Sequence, residues 1–508
     1  MKRAMIRRIT GASPRADGVE FIKPRAGLPP RQVAPHVART RAGVYLVRPM
    51  NEELSHPPAG GPPVRVASAD TAPAAKSVRG DAMVVLKRLR DAGHEAYFAG
   101  GCVRDLLLAR APRDWDVATN APPNRVRGLF SNTQAVGAAF GVILVRYGGS
   151  QIEVATFRAD AQYLDGRHPT GVRFTTAGED ARRRDFTING LFLDPLLDAP
   201  LQEQVIDFVG GRDDLRNHVI RAIGDPEARF REDHLRLLRA VRFAARFGFT
   251  IEPQTAAAIR RHAAQLIRIS PERIADELRT MLTPPTRNEA YRLLEELSLR
   301  PLLFRFLEMP DGKGRAPRAD SIFAALAPGE WIPFGLALAG AGIDHYLRQG
   351  PDNVDVRRLF ERPIAQRIVH ALRQSLKISN EESEELGQSL EGLDLLTRDD
   401  PPTLAIKKRF LARAAAPLSR ELLDALGETG LLASKRVEAL RLQLAELEKT
   451  EFAPPPLITG DDLTTAGLVP GPMFKRVLDR VYDEQLEDRI RSREEAMTLA
   501  LRLAGERA

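Results

Sequence analysis

Residues 100–119 read GGCVRDLLLARAPRDWDVAT, and the reading of this run decides the fold. The apolar segment before it, Ala96 to Ala99, reads as a short strand; Gly100-Gly101 makes a turn, and Cys102-Val103-Arg104-Asp105 opens a helix. A glycine pair between strand and helix is most often plain turn chemistry, because glycine reaches the left-handed backbone region at no steric cost. The same arrangement leaves bare backbone N–H groups at a helix start, where they can hold phosphate. Asp114-Trp115-Asp116 then begins the next strand-like segment, Trp115 to Ala118, and the two-residue period puts both carboxylates on one face of a sheet. Such a pair is commonly a solvated strand edge. It is also what a divalent cation relieves, since two anions held so close repel.

Working outward, helix-like Ala82 to Ala92 precedes the run, and strand-like segments recur at Val142 to Tyr147, Ile152 to Phe157 and Phe186 to Leu193. These predict an α/β or α+β domain ending near Gly224. From Pro226 onward nearly every segment has helical period: Glu227 to Phe247, Pro253 to Leu266, Pro271 to Leu282, Arg287 to Leu297 and several more. Pro and Gly clusters near Glu308 to Arg318, Gly350 to Asn353 and Ala453 to Pro456 interrupt them. No repeat of fixed period is present. Residues 1–79 are rich in Pro, Gly, Ala and Arg without sustained period, which predicts an unfolded basic extension rather than a signal or transit peptide.

The chain has 508 residues, enough at roughly 100 to 200 per domain for about three or four domains. Lys and Arg number 75 against 67 Asp and Glu, a formal charge of +8, and the pI of about 9.7 favours a polyanionic partner. A single cysteine, Cys102, excludes an intramolecular disulfide and a Cys-rich zinc site, so the expectation is a reducing compartment, by default the cytoplasm. No apolar run approaches the roughly 18 to 20 residues that span a bilayer, so no membrane partner is expected. Glu153, charged within Ile152-Glu153-Val154-Ala155-Thr156-Phe157, is either an outward position of a half-exposed strand or a third carboxylate. Three carboxylates on adjacent strands beside a glycine phosphate turn would build a two-metal phosphoryl-transfer site, with Mg²⁺ as the cation that oxygen ligands so spaced suit.

The run at 100–119, then IEVATFR, EDARRRDFTINGL, DFVGGRDDL and RFREDHLRLLRAVRFAARFGF, resembles the class II CCA-adding enzymes and bacterial poly(A) polymerases of the nucleotidyltransferase superfamily, over about Ala96 to Phe304. The resemblance implies an α+β fold: a polymerase-beta-like mixed-sheet head followed by all-α neck, body and tail. Its implied limits are 80–224 for the head, 225–304 for the neck, 305–450 for the body and 451–508 for a tRNA-binding tail. It implies Asp114 and Asp116 as metal ligands, Glu153 as the third catalytic acid, and Gly101 and Arg104 as triphosphate contacts. Arg184, Arg239 and Arg242 are implied to bind nucleotide, with Asp185 and Asn189 supporting the ribose and the turn.

Asp233 and Arg236 stand three apart in a strongly helical segment and are expected to share a face. By itself this is most simply an ion pair on a solvated helix. A carboxylate beside a guanidinium also satisfies the amino donor and ring-nitrogen acceptor of cytosine and of adenine. Uracil and guanine would be mispaired at about 1 to 3 kcal/mol per buried group. The resemblance places the family's base-reading motif on Glu232, Asp233 and Arg236. Clustered arginines that cannot all find carboxylates would have a bound triphosphate as the reason for their company. Residues 158–169 resemble the family's flexible loop, and no His-Asp dyad is present, Asp344-His345 having the reverse order. The activity so implied is Mg²⁺-dependent addition of C, C and A to tRNA from CTP and ATP. The alternatives are a poly(A) polymerase, an enzyme adding only A, and an RNA-binding protein on a retired scaffold.

Overall fold

The computed structural model describes residues 78–137, 141–160, 171–305, 307, 322–349 and 355–505. All but the last two residues of the expected unfolded extension, and most of the expected flexible loop, lie outside the described residues. Helix α1 (Val78–Asp91) leads into β1 (Ala96–Ala99), α2 (Gly101–Leu107), β2 (Val117–Thr119), α3 (Pro123–Leu129) and the strands β3 (Thr133–Gly137), β4 (Val142–Tyr147) and β5 (Ser150–Thr156). There follow β6 (Arg158–Asp160), β7 (Val172–Phe174), α4 (Ala177–Arg183), β8 (Leu191–Leu193), α5 (Leu201–Gln204), β9 (Val205–Asp207), α6 (Gly211–Arg216) and β10 (Val219–Ile220). Next come α7 (Pro226–Glu232), α8 (Arg236–Phe247), β11 (Thr250–Ile251), α9 (Pro253–His262) and α10 (Pro271–Leu282); the rest of the described chain is helical.

Seven strands form one mixed sheet in the order β3-β4-β5-β2-β1-β8-β9. Its one parallel pair is β2 with β5, in the register Val117↔Val154 and Ala118↔Ala155. Extending that register by one residue sets Asp116 level with Glu153. Along β5 the side chains alternate, with Ile152 and Val154 fully buried and Glu153 exposed, as the two-residue period requires. The buried face carries Phe98, Val117, Ile143, Val145, Ile152 and Val154 against Val85, Leu86 and Leu89 of α1. Each such side chain contributes roughly 1.5 to 3 kcal/mol of burial. Trp115 follows the same alternation: it is buried edge-on to Phe98, with ring centroids 4.8 Å apart, and turns its flanking aspartates the other way.

Two expectations are corrected. Strand β2 begins at Val117, so Asp114 and Asp116 lie in its extended lead-in, where the Asp116 carbonyl still accepts from Ala99 N–H at 3.1 Å. The expected helix Glu227 to Phe247 is broken: α7 ends at Glu232, Asp233 is extended (φ −143°, ψ 107°), and α8 starts at Arg236. Asp233 and Arg236 therefore do not share a helical face. The break accompanies competition between side chain and backbone, because Asp233 Oδ1 accepts the Leu235 N–H at 3.0 Å in the turn between α7 and α8.

Beyond the neck, one apolar cluster continues through the helices to Leu444, and a separate one joins Ile458, Leu463, Val477, Val481, Ala496 and Ala500. Asp344-His345 is structural: Asp344 accepts from Tyr291 Oη (2.9 Å) and Arg348 Nε (2.6 Å). Burial, then the nearby Arg300, pushes the His345 imidazole down to about 4. Among the described residues no helix is long and apolar enough to cross a membrane.

Candidate active site

Sheet, turn and neck helices enclose a cleft of about 580 Å³. Gly100, Gly101 and Arg104 line it from the turn and α2, Asp116 and Ala118 from the β2 segment, Glu153 and Ala155 from β5, and Arg184, Asp185 and Asn189 from the segment after α4. Asp233, Arg236, Arg239 and Arg242 close it from the neck. Every site residue expected from sequence except Asp114 and Glu232 thus borders one cavity. Asp114 is exposed outside the lining and reaches Asp116 through its charge.

Gly100 is where the backbone demands glycine. Its φ is +71°, and a Cβ there would stand 3.0 Å from Arg184 Nη1. Arg184 is held by Asp180 Oδ2 (3.0 Å) and the Asn189 carbonyl (3.2 Å), over the Phe192 ring. Burial alone would raise the Asp180 carboxyl, but Arg184 and Arg183 outweigh it and hold it below the usual carboxylate range. Buried Arg104 bonds Asp105 Oδ1 through Nε (2.9 Å) and Nη2 (2.7 Å), and Asn189 Oδ1 through Nη1 (2.6 Å). The Cys102 thiol donates to the Ala99 carbonyl and is pushed up to about 12 by burial and by Asp116, which makes it a packing residue.

The acidic end and the basic end differ in kind. Burial, then Glu153 and Asp114, push the Asp116 carboxyl up to about 6 against the opposing pull of Arg184. Mutual repulsion of this sort is what a divalent cation removes, and the oxygen donors suit Mg²⁺. Among the described residues no three His, Cys, Asp or Glu side chains form a ready-made metal cage, so the three carboxylates share a field without closing a ligand set. Mg²⁺ characteristically takes one or two carboxylates and completes its shell with water and substrate phosphate.

At the other end the arginines are paired, contrary to the expectation that they outnumber available carboxylates. Arg239 binds Asp185 Oδ2 through Nε (2.8 Å) and Nη2 (2.6 Å), Arg242 meets Glu277 at 3.1 Å, and Arg236 meets Glu232 at 2.6 Å. Burial would raise Asp185, but Arg239 and Asn189 outweigh it and hold it far below the usual range. The partners Asp105, Asp180, Glu232 and Glu277 stand behind the wall, while nine arginines and four carboxylates line the cleft itself. The carboxylates aim the guanidiniums, and the cavity remains cationic.

Asp233 is clamped as firmly, its Oδ2 accepting from Arg273 Nη2 at 2.9 Å. Arg236 also donates to the carbonyls of Arg229 (2.9 Å) and Arg183 (3.3 Å). Sequence reading missed Arg273, Glu277, Asp180 and Arg246. Only Arg246 had a local signal, lying one helical turn beyond Arg242.

Known proteins resemble this chain over its head and the helices that follow it. Residues 96–221 match the Poly A polymerase head domain, and residues 248–309 match the probable RNA and SrmB-binding site of polymerase A. A CCA-adding enzyme of Lactobacillus helveticus is 45% identical over 219 residues, which are 43% of this chain and 53% of the relative. Poly(A) polymerase I of Salmonella typhi is 44% identical over 240 residues, 45% of this chain and 50% of the relative. The chain thus spans about half the length of the curated relatives it matches. The crystal structure of the Bacillus stearothermophilus CCA-adding enzyme in complex with CTP aligns with a TM-score of 0.62 at 28% identity, covering 84% of this chain and 98% of that one. Through its mixed-sheet head and the helices that follow, the chain is similar to CCA-adding enzymes and to poly(A) polymerases alike.

Proposed function

We propose that this protein is a template-independent nucleotidyltransferase that adds C, C and A to the 3′ end of tRNA from CTP and ATP, releasing pyrophosphate. The observation that carries the reading is one cleft bordered both by Asp116 and Glu153 from the sheet and by Asp233 and Arg236 from the neck. Mg²⁺ held by Asp116 and Asp114, with Glu153 adjoining, would acidify the attacking 3′-hydroxyl and neutralise the triphosphate. Gly101 and Arg104 receive the phosphates beside the turn, and Arg184, Arg239 and Arg242 stabilise the charge that builds on the leaving pyrophosphate.

Base choice falls to Asp233 and Arg236, the carboxylate accepting the exocyclic amino group and the guanidinium donating to the ring nitrogen. Asp233 is held by Arg273 of the same cleft wall and Arg236 by Glu232 behind it, which restrains both from turning to accommodate uracil or guanine. Head, neck, body and tail limits at 80–224, 225–304, 305–450 and 451–508 belong to the same proposal, with the tail binding tRNA and the enzyme working in the cytoplasm.

A second reading, poly(A) synthesis, is favoured by the similarity to Poly(A) polymerase I. The test is incorporation by purified protein into tRNA lacking its 3′ end, in Mg²⁺. Two C residues and one A support CCA addition, and long A tracts support the second reading. A added only to CC-ended tRNA identifies an A-adding enzyme, and no transfer with tight RNA binding identifies a retired scaffold.

A further inference from the structure

At the edge of the cleft lining, arginines gather around one ring, two of them lining the cleft and others outside it. The guanidiniums of Arg110 and Arg246 each stand 5.2 Å from the centroid of Phe247, itself buried and stacked on Phe243. Arg104 faces the same ring at 4.7 Å from inside. Arg113 follows three residues after Arg110 on the same exposed loop.

The Asp105 carboxylate is already engaged by Arg104 at 2.7 Å and lies 3.8 Å from Arg246. Among the described residues no carboxylate is hydrogen-bonded to Arg110 or Arg113, and both are exposed. The loop that carries them is anchored, since Arg110 N–H donates to the Asp105 carbonyl at 2.8 Å. Like charges assembled on a fixed apolar ring, without a matching carboxylate layer, are a surface built for an anion from solution.

Position identifies the anion. Arg246 lines the cleft mouth, whereas Arg110 and Arg113 lie beyond it, and Arg113 immediately precedes Asp114. A mononucleotide inside the cleft would be served by the inner arginines. A strand that brings its terminal hydroxyl to Asp114 and Asp116 would have Arg113 beside it, because that residue immediately precedes Asp114. We propose that Arg110, Arg113 and Arg246 form a platform for backbone phosphodiesters of the RNA strand being extended. The inference rests on the nucleotidyltransferase reading above.

The test is the double variant Arg110→Ala/Arg113→Ala, with Arg110→Lys/Arg113→Lys as the charge-preserving control, in the full chain. The probe is tRNA that ends before its CCA. The slope of log affinity against log salt should fall by about 1.4 in the alanine variant, about 0.7 for each single-strand phosphate that is no longer neutralised. The KM for that tRNA should rise about tenfold, the KM for CTP should stay within about twofold, and the lysine variant should recover most of the slope.

An unchanged slope in a variant that melts like the parent would overturn the platform. So would a raised KM for CTP with an unchanged KM for tRNA, which would assign these arginines to triphosphate or pyrophosphate instead. The salt slope is a binding measurement, so it judges the platform even if the parent protein transfers no nucleotide, an outcome that would defeat only the functional reading.

Discussion

Replacing Asp233 by Asn alters one oxygen at the centre of the proposed base-reading pair. Oδ1 can still accept the Leu235 N–H, so the start of α8 is preserved. Oδ2 becomes an amide NH₂, which opposes the donating Arg273 Nη2 now 2.9 Å away. Toward cytosine or adenine the loss is one hydrogen bond to a charged acceptor, about 1.5 to 3 kcal/mol, with a donor left facing a donor. Toward uracil, whose carbonyl takes the place of the amino group, the new NH₂ is a partner. The difference between the two bases should shift by about 3 kcal/mol, or roughly a hundredfold. The assay is kcat/KM for CTP and for UTP on tRNA lacking its CCA end, with thermal melting as a check on folding. A hundredfold fall in the CTP to UTP preference is expected. A folded variant with the parent's preference would refute the claim that Asp233 reads the base.

Asp116→Asn should lower kcat by at least about a thousandfold while tRNA affinity stays within a few-fold, measured by single-turnover incorporation and by binding; near-parental transfer would contradict the metal assignment. Gly100→Ala forces a side chain onto a φ of +71° and to within 3.0 Å of Arg184 Nη1. It should cost about 1 to 2 kcal/mol of stability and raise the KM for both nucleotides, read from melting and initial rates. His345 is neutral when folded because its pKa lies near 4, below the unfolded value of about 6.5. The unfolded chain therefore binds the extra proton, so the stability this residue contributes is complete above pH 6.5 and is lost as pH falls toward 4, by at most about 3 kcal/mol. His345→Gln should flatten that part of the stability profile in urea titrations, and an identical profile would count against the assignment.

The sequence made β1 and β4 legible to the residue, because both are short apolar runs bounded by turn residues. It did not reveal β3 or β9, edge strands whose existence depends on backbone bonds to distant partners rather than on their own alternation. The broken helix at Asp233 escaped periodicity for a different reason: a local side-chain bond to the backbone interrupts an otherwise helical segment. Of the site, the carboxylates and arginines were readable as types and spacings. What aims them was not, since Arg239 finds Asp185 across 54 residues and Arg273 finds Asp233 across 40. The first pairing exists only once the head and neck have folded together, and the second only once α10 has packed in the neck beside the start of α8. The same fact explains why the arginines looked unpaired along the chain and are paired in space.

The most direct measurement is a crystal structure of the protein with CTP and a divalent cation, in the absence of RNA. The triphosphate is expected along Gly101, Arg104, Arg184, Arg239 and Arg242, the cation on Asp116 with Asp114, and the cytosine edge against Asp233 and Arg236. A cytosine bound away from Asp233 and Arg236, or a triphosphate remote from the Gly100-Gly101 turn, would contradict that placement.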